Sequence, residues 1–422
     1  MPEPTVTTGV DNLPEAGEWR GPRAFAALRH RDYAIFWTGF VISNIGSWMQ
    51  NYAQGYLIYE LTHSALYLGV TTAAGTLPML FLTLPAGVIA DRFSKRKVTM
   101  VTQTLMMLQA GALAFLTCTG LVEPWHIVAL AVFGGSAVAV DIPARQAMTV
   151  ELVGKEDLLN AVALNSSAFN GARVIGPSVA GVVTALAGVR FCYVVNTVSF
   201  LAVILGLALI RPTPSRRNPD GRSVWEQIKE GVLYSRRNAV IRDILIVTGM
   251  ASIFGMQYAT IMPAFAKDVL HVGPQGLGLL QSAAGFGALA GAISIAALGH
   301  LFRRGRLMII GSVLAPIGLL AFASSSSLAV SVAVLIVAGF GMMLFMAVSN
   351  NVVQTAAPDG LLGRIIAVRS LVFLGLAPIG ALQIGWLAQV AGPRVSLTAS
   401  AIVTLVMAIC FGLRSRAIRD VK

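Results

Sequence analysis

The chain alternates between long apolar segments and short polar connections over almost its whole length. An apolar run of about 20 residues is long enough to cross a bilayer as a helix, and such runs follow one another from residue 33 to residue 413. Polar residues, glycines and prolines separate them, which predicts about twelve transmembrane helices. The predicted spans cover 33–59, 65–90, 98–119, 125–147, 160–187, 190–210, 241–266, 275–300, 307–324, 328–355, 363–390 and 394–413.

The longest polar insertion lies between the sixth and seventh predicted spans and divides the chain into halves. It runs from Arg211 to Arg242 and contains an amphipathic piece that is typical of an interfacial helix. We therefore expect an all-α integral membrane protein with two pseudo-symmetric bundles of six helices. The expected boundaries are a cytoplasmic tail and surface helix over 1–32, bundles over 33–210 and 241–413, a cytoplasmic linker over 211–240 and a tail over 414–422.

The two halves resemble each other at an offset of about 200 residues. Arg31-Asp32 precedes the first span and Arg242-Asp243 precedes the seventh, while Gly176-Pro177 has a counterpart in Ala377-Pro378. Weak internal repetition of this kind is typical of transporters built from duplicated halves.

Composition and charge fit a membrane protein and orient it. The 422 residues are 56% hydrophobic and 12% charged, whereas soluble domains carry about 25% charged residues. The cations cluster on alternate connections, at 20–31, 92–97, 211–242, 303–306 and 414–422. This positive-inside distribution predicts cytoplasmic termini and explains the net charge of +12 without a nucleic-acid partner. Residues 1–20 are polar and lack an apolar core, so no cleavable signal peptide is expected.

The segment Gly87–Val98 closes one apolar span and opens the next, with four cations within six residues. The bilayer core does not accommodate this charge density, so the segment predicts a tight turn at the cytoplasmic face. Asp91 ends a predicted helix and is followed at once by Arg92, an arrangement suited to an ion-paired latch. We expect its partners among charges on the same face, such as Arg145 and Glu151.

The same segment resembles the cytoplasmic signature of the major facilitator superfamily, and the resemblance extends over all twelve predicted spans. It implies that Asp91, Arg92 and Arg96 tie cytoplasmic helix ends together in the outward-open state. Three further segments, 44–50, 141–147 and 161–166, look like the bacterial exporter branch that includes the enterobactin exporter.

The fifth span carries a second resemblance within that superfamily. Its segment 176–181 is similar to the antiporter signature, with Ala180 where a second glycine is usual. The resemblance and the proline together favour helix bending at Gly176, Pro177 and Gly181.

Ionisable residues inside predicted spans are rare here, and their burial is costly. Asp141 is the acid clearly inside a span, and Arg173 is the cation at comparable depth on a neighbouring helix. Asp141 is a candidate proton carrier, and Arg173 is a candidate for holding an anionic substrate or modulating Asp141. A second interpretation stays open, because Arg145 follows Asp141 by four residues and would form a fixed ion pair with it.

Neutral polar residues form a second layer of candidates. In the first span they recur at offsets of three and four, which places them on one helical stripe that we expect to face a central cavity. The candidate cavity-lining residues are Asn44, Ser47, Asn51, Gln54, Ser252, Tyr258, Asn350 and Gln354. The competing interpretation is that these side chains form hydrogen bonds between packed helices.

Other function classes find little support in the sequence. No cluster of histidine, cysteine and aspartate has metal-ligand spacing, and no phosphate-binding glycine loop occurs. We therefore expect no enzyme, no metal and no cofactor. The predicted function is proton-driven efflux of a small organic molecule by a monomer in the bacterial inner membrane. The alternatives are a facilitator, an importer or a lysophospholipid flippase on the same fold, or a non-transporting scaffold.

Overall fold

The computed structural model describes residues 23–210, 224–298, 303–358 and 361–414, and no β-strand occurs in these ranges. After a short 3₁₀ helix at Arg23–Arg29, the N-terminal half contains α1 Arg31–Thr62, α2 Ala65–Arg92, α3 Lys95–Thr119, α4 Pro124–Val153, α5 Leu158–Ala187 and α6 Arg190–Leu209. Helix α7 Val224–Arg237 lies in the linker. The C-terminal half contains α8 Ala239–Met250, α9 Met262–Ala264, α10 Pro274–Leu298, α11 Arg304–Ser324, α12 Leu328–Ala356, α13 Leu362–Ala391 and α14 Pro393–Arg414.

Ten helical segments in the described ranges are long and apolar enough to cross a membrane. Helices α1 and α5 have 32 and 30 residues but are not among the ten, since both carry several polar side chains. The all-α membrane fold is confirmed, whereas the count of twelve spans stays a prediction.

The first span of the C-terminal half is interrupted. After α8 come a π-helical turn at Ala251–Gly255, a 3₁₀ turn at Met256–Ala259, the short α9 and a second π-helical turn at Phe265–Val269. Departures of this kind from α-helical geometry often mark functional hinges. We call this segment, 239–269, the interrupted span.

The helices form two bundles, α1–α6 and α8–α14, which meet mainly through α2 with α13 and α5 with α10. We call the face with the connections 93–94 and 154–157 the basic face, and the face with 63–64, 120–123 and 188–189 the distal face. Toward the distal face, buried apolar side chains of both bundles form one cluster, which includes Tyr52 and Phe265. Toward the basic face each bundle has its own cluster, around Phe36 and around Phe345. The bundles are therefore joined on their distal side.

Glycines allow the close contact between the bundles at two equivalent places. Gly69 of α2 faces Gly385 of α13, and Gly278 of α10 faces Gly181 of α5. A Cβ atom at Gly69 or at Gly278 would stand 2.5 Å from a backbone oxygen of the opposite helix. Gly69 and Gly278, like Gly181 and Gly385, are about 200 residues apart, which matches the offset between the halves.

The linker helix α7 runs against the C-terminal bundle on the basic face. Arg364 of α13 donates to the carboxylate of Glu230, and Gly231 packs on the backbone of Arg364. Val232 and Leu233 remain exposed, and the interfacial role of this helix stays a prediction. The side chains of the residues before Lys229 in this helix lie outside the described part.

Candidate substrate and coupling site

Arg173 lies in the middle of α5, where the two bundles meet. A Cβ atom at Gly285 would stand 2.9 Å from the backbone oxygen of Arg173, so α10 passes directly over this position. The guanidinium carbon lies 5.9 Å from the centre of the Trp48 ring on α1. The guanidinium also interacts with the hydroxyl group of Tyr258 on the interrupted span. Arg173 therefore contacts both bundles.

Aromatic side chains flank Arg173 on the N-terminal bundle. The rings of Trp48 and Phe169 meet edge to face, with centres 5.6 Å apart. Phe169 is 48% exposed. Trp48 comes close to α5 because Gly176 has no side chain, and a Cβ atom there would stand 2.5 Å from the Trp48 Cβ. Gly176 thus provides space for Trp48, and α5 continues as one helix through Pro177.

Arg173 forms no ion pair among the described residues. Asp141 and Glu60, which are acids of the same bundle, pair with other cations, Arg145 and Lys267. An uncompensated cation inside a membrane protein is energetically costly and is usually functional. The arrangement is able to attract a negatively charged group into the space between the bundles.

Asp141 is buried in the N-terminal bundle, with 3% of its surface exposed. Its Oδ1 accepts hydrogen bonds from Thr102 Oγ1 at 2.8 Å and from Gln103 Nε2 at 3.0 Å. Its Oδ2 accepts from Arg145 Nε at 3.0 Å. Arg173 is not among these hydrogen-bond partners, so the carboxylate of Asp141 is paired with Arg145 and not with Arg173.

Arg145 connects Asp141 to the interior of the bundle. Its guanidinium carbon lies 4.4 Å from the centre of the Phe40 ring on α1. The i to i+4 pair with Asp141 is therefore held from a second side by a cation–π contact. The contact between Asp141 and Arg145 is the one that the ion-pair interpretation predicts.

The predicted stripe on α1 is partly accessible. Asn51 is exposed, and Asn44, Ser47 and Gln54 are partly exposed. The Nδ2 of Asn44 is buried without a hydrogen-bond partner among the described residues.

A buried amide network beside this stripe was missed by sequence reasoning. Gln50 Nε2 donates to Gln109 Oε1 at 2.8 Å, and Asn196 Nδ2 donates to Gln50 Oε1 at 2.7 Å. The network joins α1, α3 and α6. The available signal was the presence of amide side chains inside three predicted spans, with Asn196 as the single amide of the sixth.

The candidates of the C-terminal half have different surroundings. Ser252 is buried and donates to a backbone oxygen of α13 at 2.6 Å, and Tyr258 is buried beside Arg173. Asn350 Oδ1 accepts from Arg369 Nη1 at 3.1 Å, whereas Gln354 is exposed. Arg369 is itself buried and also donates to neutral groups of α12.

The predicted latch lies at the basic face and is described only in part. The side chain of Asp91 lies outside the described residues. Gly87 is on α2 and has open space around it, and Arg92 is exposed at the end of the same helix. Arg96 Nε donates to a backbone oxygen at the end of α6 at 2.6 Å. Glu151 lies 3.3 Å from Lys95 Nζ, so its ion pair joins α4 to α3.

Polar contacts close the distal face between the bundles. Lys267 Nζ donates to Glu60 Oε1 at 2.8 Å, and the Tyr59 hydroxyl donates to the carboxylate of Asp268. Both partners in the C-terminal bundle belong to the second π-helical turn of the interrupted span. The interrupted span therefore carries Tyr258 near the centre and the ion pair at the distal face.

Two helical bundles related by an internal repeat, with an uncompensated cation between them, define a membrane transporter of the major facilitator class rather than an enzyme. The chain matches the family described as transmembrane secretion effector over residues 22–420, and it belongs to that family.

Among the curated relatives is the multidrug efflux pump Tap of Mycolicibacterium fortuitum, 26% identical over 84% of this chain and 88% of that protein. Another is the enterobactin exporter EntS of Citrobacter koseri, 25% identical over 81% of this chain and 82% of that one. A solved bacterial homologue of the human lysosomal transporter Spinster, in an inward-facing and unoccupied conformation, has a TM-score of 0.73 and 13% identity. The match covers 95% of this chain and 99% of that one.

Proposed function

We propose that this protein exports a small organic molecule from the cytoplasm by alternating access, driven by protons. The names of two relatives, an efflux pump and a siderophore exporter, support export. The family relationship by itself supports transport. The direction of transport and the coupling ion are the parts that we add.

The single observation that carries the proposal is the position of Arg173. It is a cation without a carboxylate partner among the described residues, and it contacts α1, α10 and the interrupted span. A substrate bound there touches both bundles, so a rocking movement of one bundle against the other changes the side from which the substrate is reached.

The membrane orientation is the second element of the proposal. The cation-rich connections support a cytoplasmic basic face and cytoplasmic termini, and the bacterial relatives support the inner membrane. With this orientation, the distal face, where the bundles are joined, is the outer side and is closed. The Arg173 site is then reached from the cytoplasm.

Proton coupling is assigned to Asp141. A proton on this carboxylate removes its charge, so the ion pair with Arg145 is lost and the guanidinium is free to find another acceptor. Because the Arg145 guanidinium also contacts the Phe40 ring of α1, a change in its position links protonation of Asp141 to the packing of α4 against α1. The competing assignment, a permanent structural ion pair, rests on the three hydrogen bonds that the carboxylate accepts in this state.

Uptake into inverted membrane vesicles tests the export proposal. The panel consists of ethidium, Hoechst 33342 and naphthalene-2-carboxylate, each with and without a proton gradient that is acidic inside. We expect gradient-dependent uptake of at least one compound above that of vesicles lacking the protein. The proposal is contradicted if no panel compound is taken up, or if the uptake of every compound is the same with and without the proton gradient.

A further inference from the structure

We infer that the site around Arg173 selects an anionic aromatic molecule, with its acid group on the guanidinium and its ring against Trp48 and Phe169. The inference rests on the proposed function and names the chemical class of the substrate.

The charge of the site favours an anion. The ion pairs of the described residues leave Arg173 without a carboxylate. The planar fork of an arginine side chain matches a carboxylate or a related oxyanion in a bidentate geometry. A cationic substrate meets repulsion here, and a neutral substrate leaves the guanidinium uncompensated.

The shape of the neighbouring surface favours an aromatic ring. Trp48 and Phe169 already pack edge to face with ring centres 5.6 Å apart, and nearly half of Phe169 is exposed. A planar ring adds a further stacked or edge-to-face contact to such a pair, worth about 0.5–1.5 kcal/mol beyond the buried area in other proteins. A saturated ring buries similar area without this contribution.

The Tyr258 hydroxyl restricts how the acid group sits. It interacts with the guanidinium from the opposite bundle, and Tyr258 is buried with 2% of its surface exposed. The guanidinium therefore lies between the Tyr258 hydroxyl of the C-terminal bundle and the Trp48 ring of the N-terminal bundle. A molecule with its acid group attached directly to a ring contacts the guanidinium and the aromatic pair at the same time.

Binding of three matched probes to the purified full-length protein in lipid nanodiscs tests the inference. The probes are naphthalene-2-carboxylate, its neutral carboxamide and decahydronaphthalene-2-carboxylate, measured by isothermal titration calorimetry. We expect the aromatic carboxylate to bind about tenfold more tightly than the carboxamide, which loses the charge-assisted pair. We expect it to bind about two- to twelvefold more tightly than the saturated acid, which loses the ring contact.

Variants separate the two contributions. Arg173→Gln is expected to abolish the preference for carboxylate over carboxamide, and Trp48→Leu to reduce the preference for the aromatic over the saturated ring. The matched control is Arg190→Gln, since Arg190 lies 5.4 Å from the Phe191 ring centre but at the distal end of α6. The control is expected to bind all three probes as the unaltered protein does.

Equal binding of the three probes to the unaltered protein overturns the inference, and this comparison does not depend on any variant being folded. An unchanged carboxylate preference in Arg173→Gln overturns it as well. If the preference is absent while inverted vesicles still accumulate a panel dye, the substrate class is wrong and export stands. If the preference is present but no panel compound accumulates, the aromatic-anion site stands and export is wrong.

Discussion

Neighbouring polar residues on α1 have different roles, although their sequence contexts look alike. Gln50 is buried in the amide network with Gln109 and Asn196, whereas Asn51 is exposed. A helical stripe predicts which residues share a face, but it does not predict which face meets another helix. That depends on the positions of α3 and α6.

Replacing Gln50 is expected to destabilise the N-terminal bundle. Gln50→Leu removes two interhelical hydrogen bonds and leaves Gln109 Oε1 and Asn196 Nδ2 without the partner that Gln50 provides. At about 0.6 kcal/mol per hydrogen bond in a membrane protein, the loss is roughly 1 kcal/mol. Thermal unfolding in detergent measures it. Asn51→Leu serves as the matched control, and an equal loss of stability in both variants contradicts the assignment.

The two charged candidates could be selected from sequence because charges inside apolar spans are so scarce. The partnership of Asp141 with Arg145 followed from their spacing on one helix and is present in the structure. The surroundings of Arg173 could not be predicted, because Trp48, Tyr258 and Gly285 come from three other segments of the chain.

At the scale of helices, the glycines of α5 serve close packing between elements. The sequence favoured bending at Gly176, Pro177 and Gly181, a role that stays a prediction. In the structure Gly176 accommodates Trp48, and Gly181 faces Gly278 of the other bundle. Composition alone does not separate these uses, because a glycine that permits bending and one that permits contact look identical in sequence.

Enlarging Gly181 is expected to force the distal face open. Gly181→Leu places a side chain where α10 backbone atoms lie 2.8 Å from an added Cβ atom. Spin labels at Leu121 and Ser327, in distal connections of the two bundles, report the separation in a cysteine-free background. We expect longer distances in Gly181→Leu than in the unaltered protein.

The control for this measurement lies on the same helix. A Cβ atom at Gly171 meets no atom within 4 Å, so Gly171→Leu is expected to leave the distance distribution unchanged. Unchanged distances in Gly181→Leu contradict the role of the glycine contact in distal closure.

The interrupted span was predicted as a regular helix over 241–266. Its residues are apolar enough to cross a membrane, and periodicity does not distinguish an α-helix from one with π-helical turns. A small apolar cavity of about 40 Å³ lies beside the first of these turns and is lined by Met250, Met256 and Met342. Methionine side chains adapt to changing shapes, so this lining accommodates small changes in the geometry of the turn.

At the scale of the whole molecule, the internal repeat is visible as symmetric contacts between the bundles. The glycine pairs of α2 with α13 and of α5 with α10 are equivalent under the repeat, as the similarity of the halves predicted. The ion pair of Glu60 with Lys267 has no such counterpart in the described residues. The closed distal side therefore combines a symmetric packing surface with an asymmetric ion pair.

The conformation of the molecule was beyond prediction from sequence. Pattern and charge predicted the fold class, the two halves and the connections that carry cations. Which side is closed depends on a small difference in free energy between two packings of the same helices. That difference is the quantity on which substrate and protons act in an alternating-access exporter.

Proton movement driven by substrate tests the central claim most directly. The protein is reconstituted into vesicles that contain a trapped pH indicator, and a concentration gradient of a transported panel compound is applied. The pH change is compared between the unaltered protein, Asp141→Asn and Asp243→Asn. Asp243 is paired with Arg242 at the basic face, so its variant controls for loss of a carboxylate.

We predict that substrate flow drives protons in the opposite direction through the unaltered protein and the Asp243→Asn control. Asp141→Asn is predicted to exchange substrate without moving protons. Substrate flow without proton movement in the unaltered protein, or full proton movement in Asp141→Asn, would contradict the account.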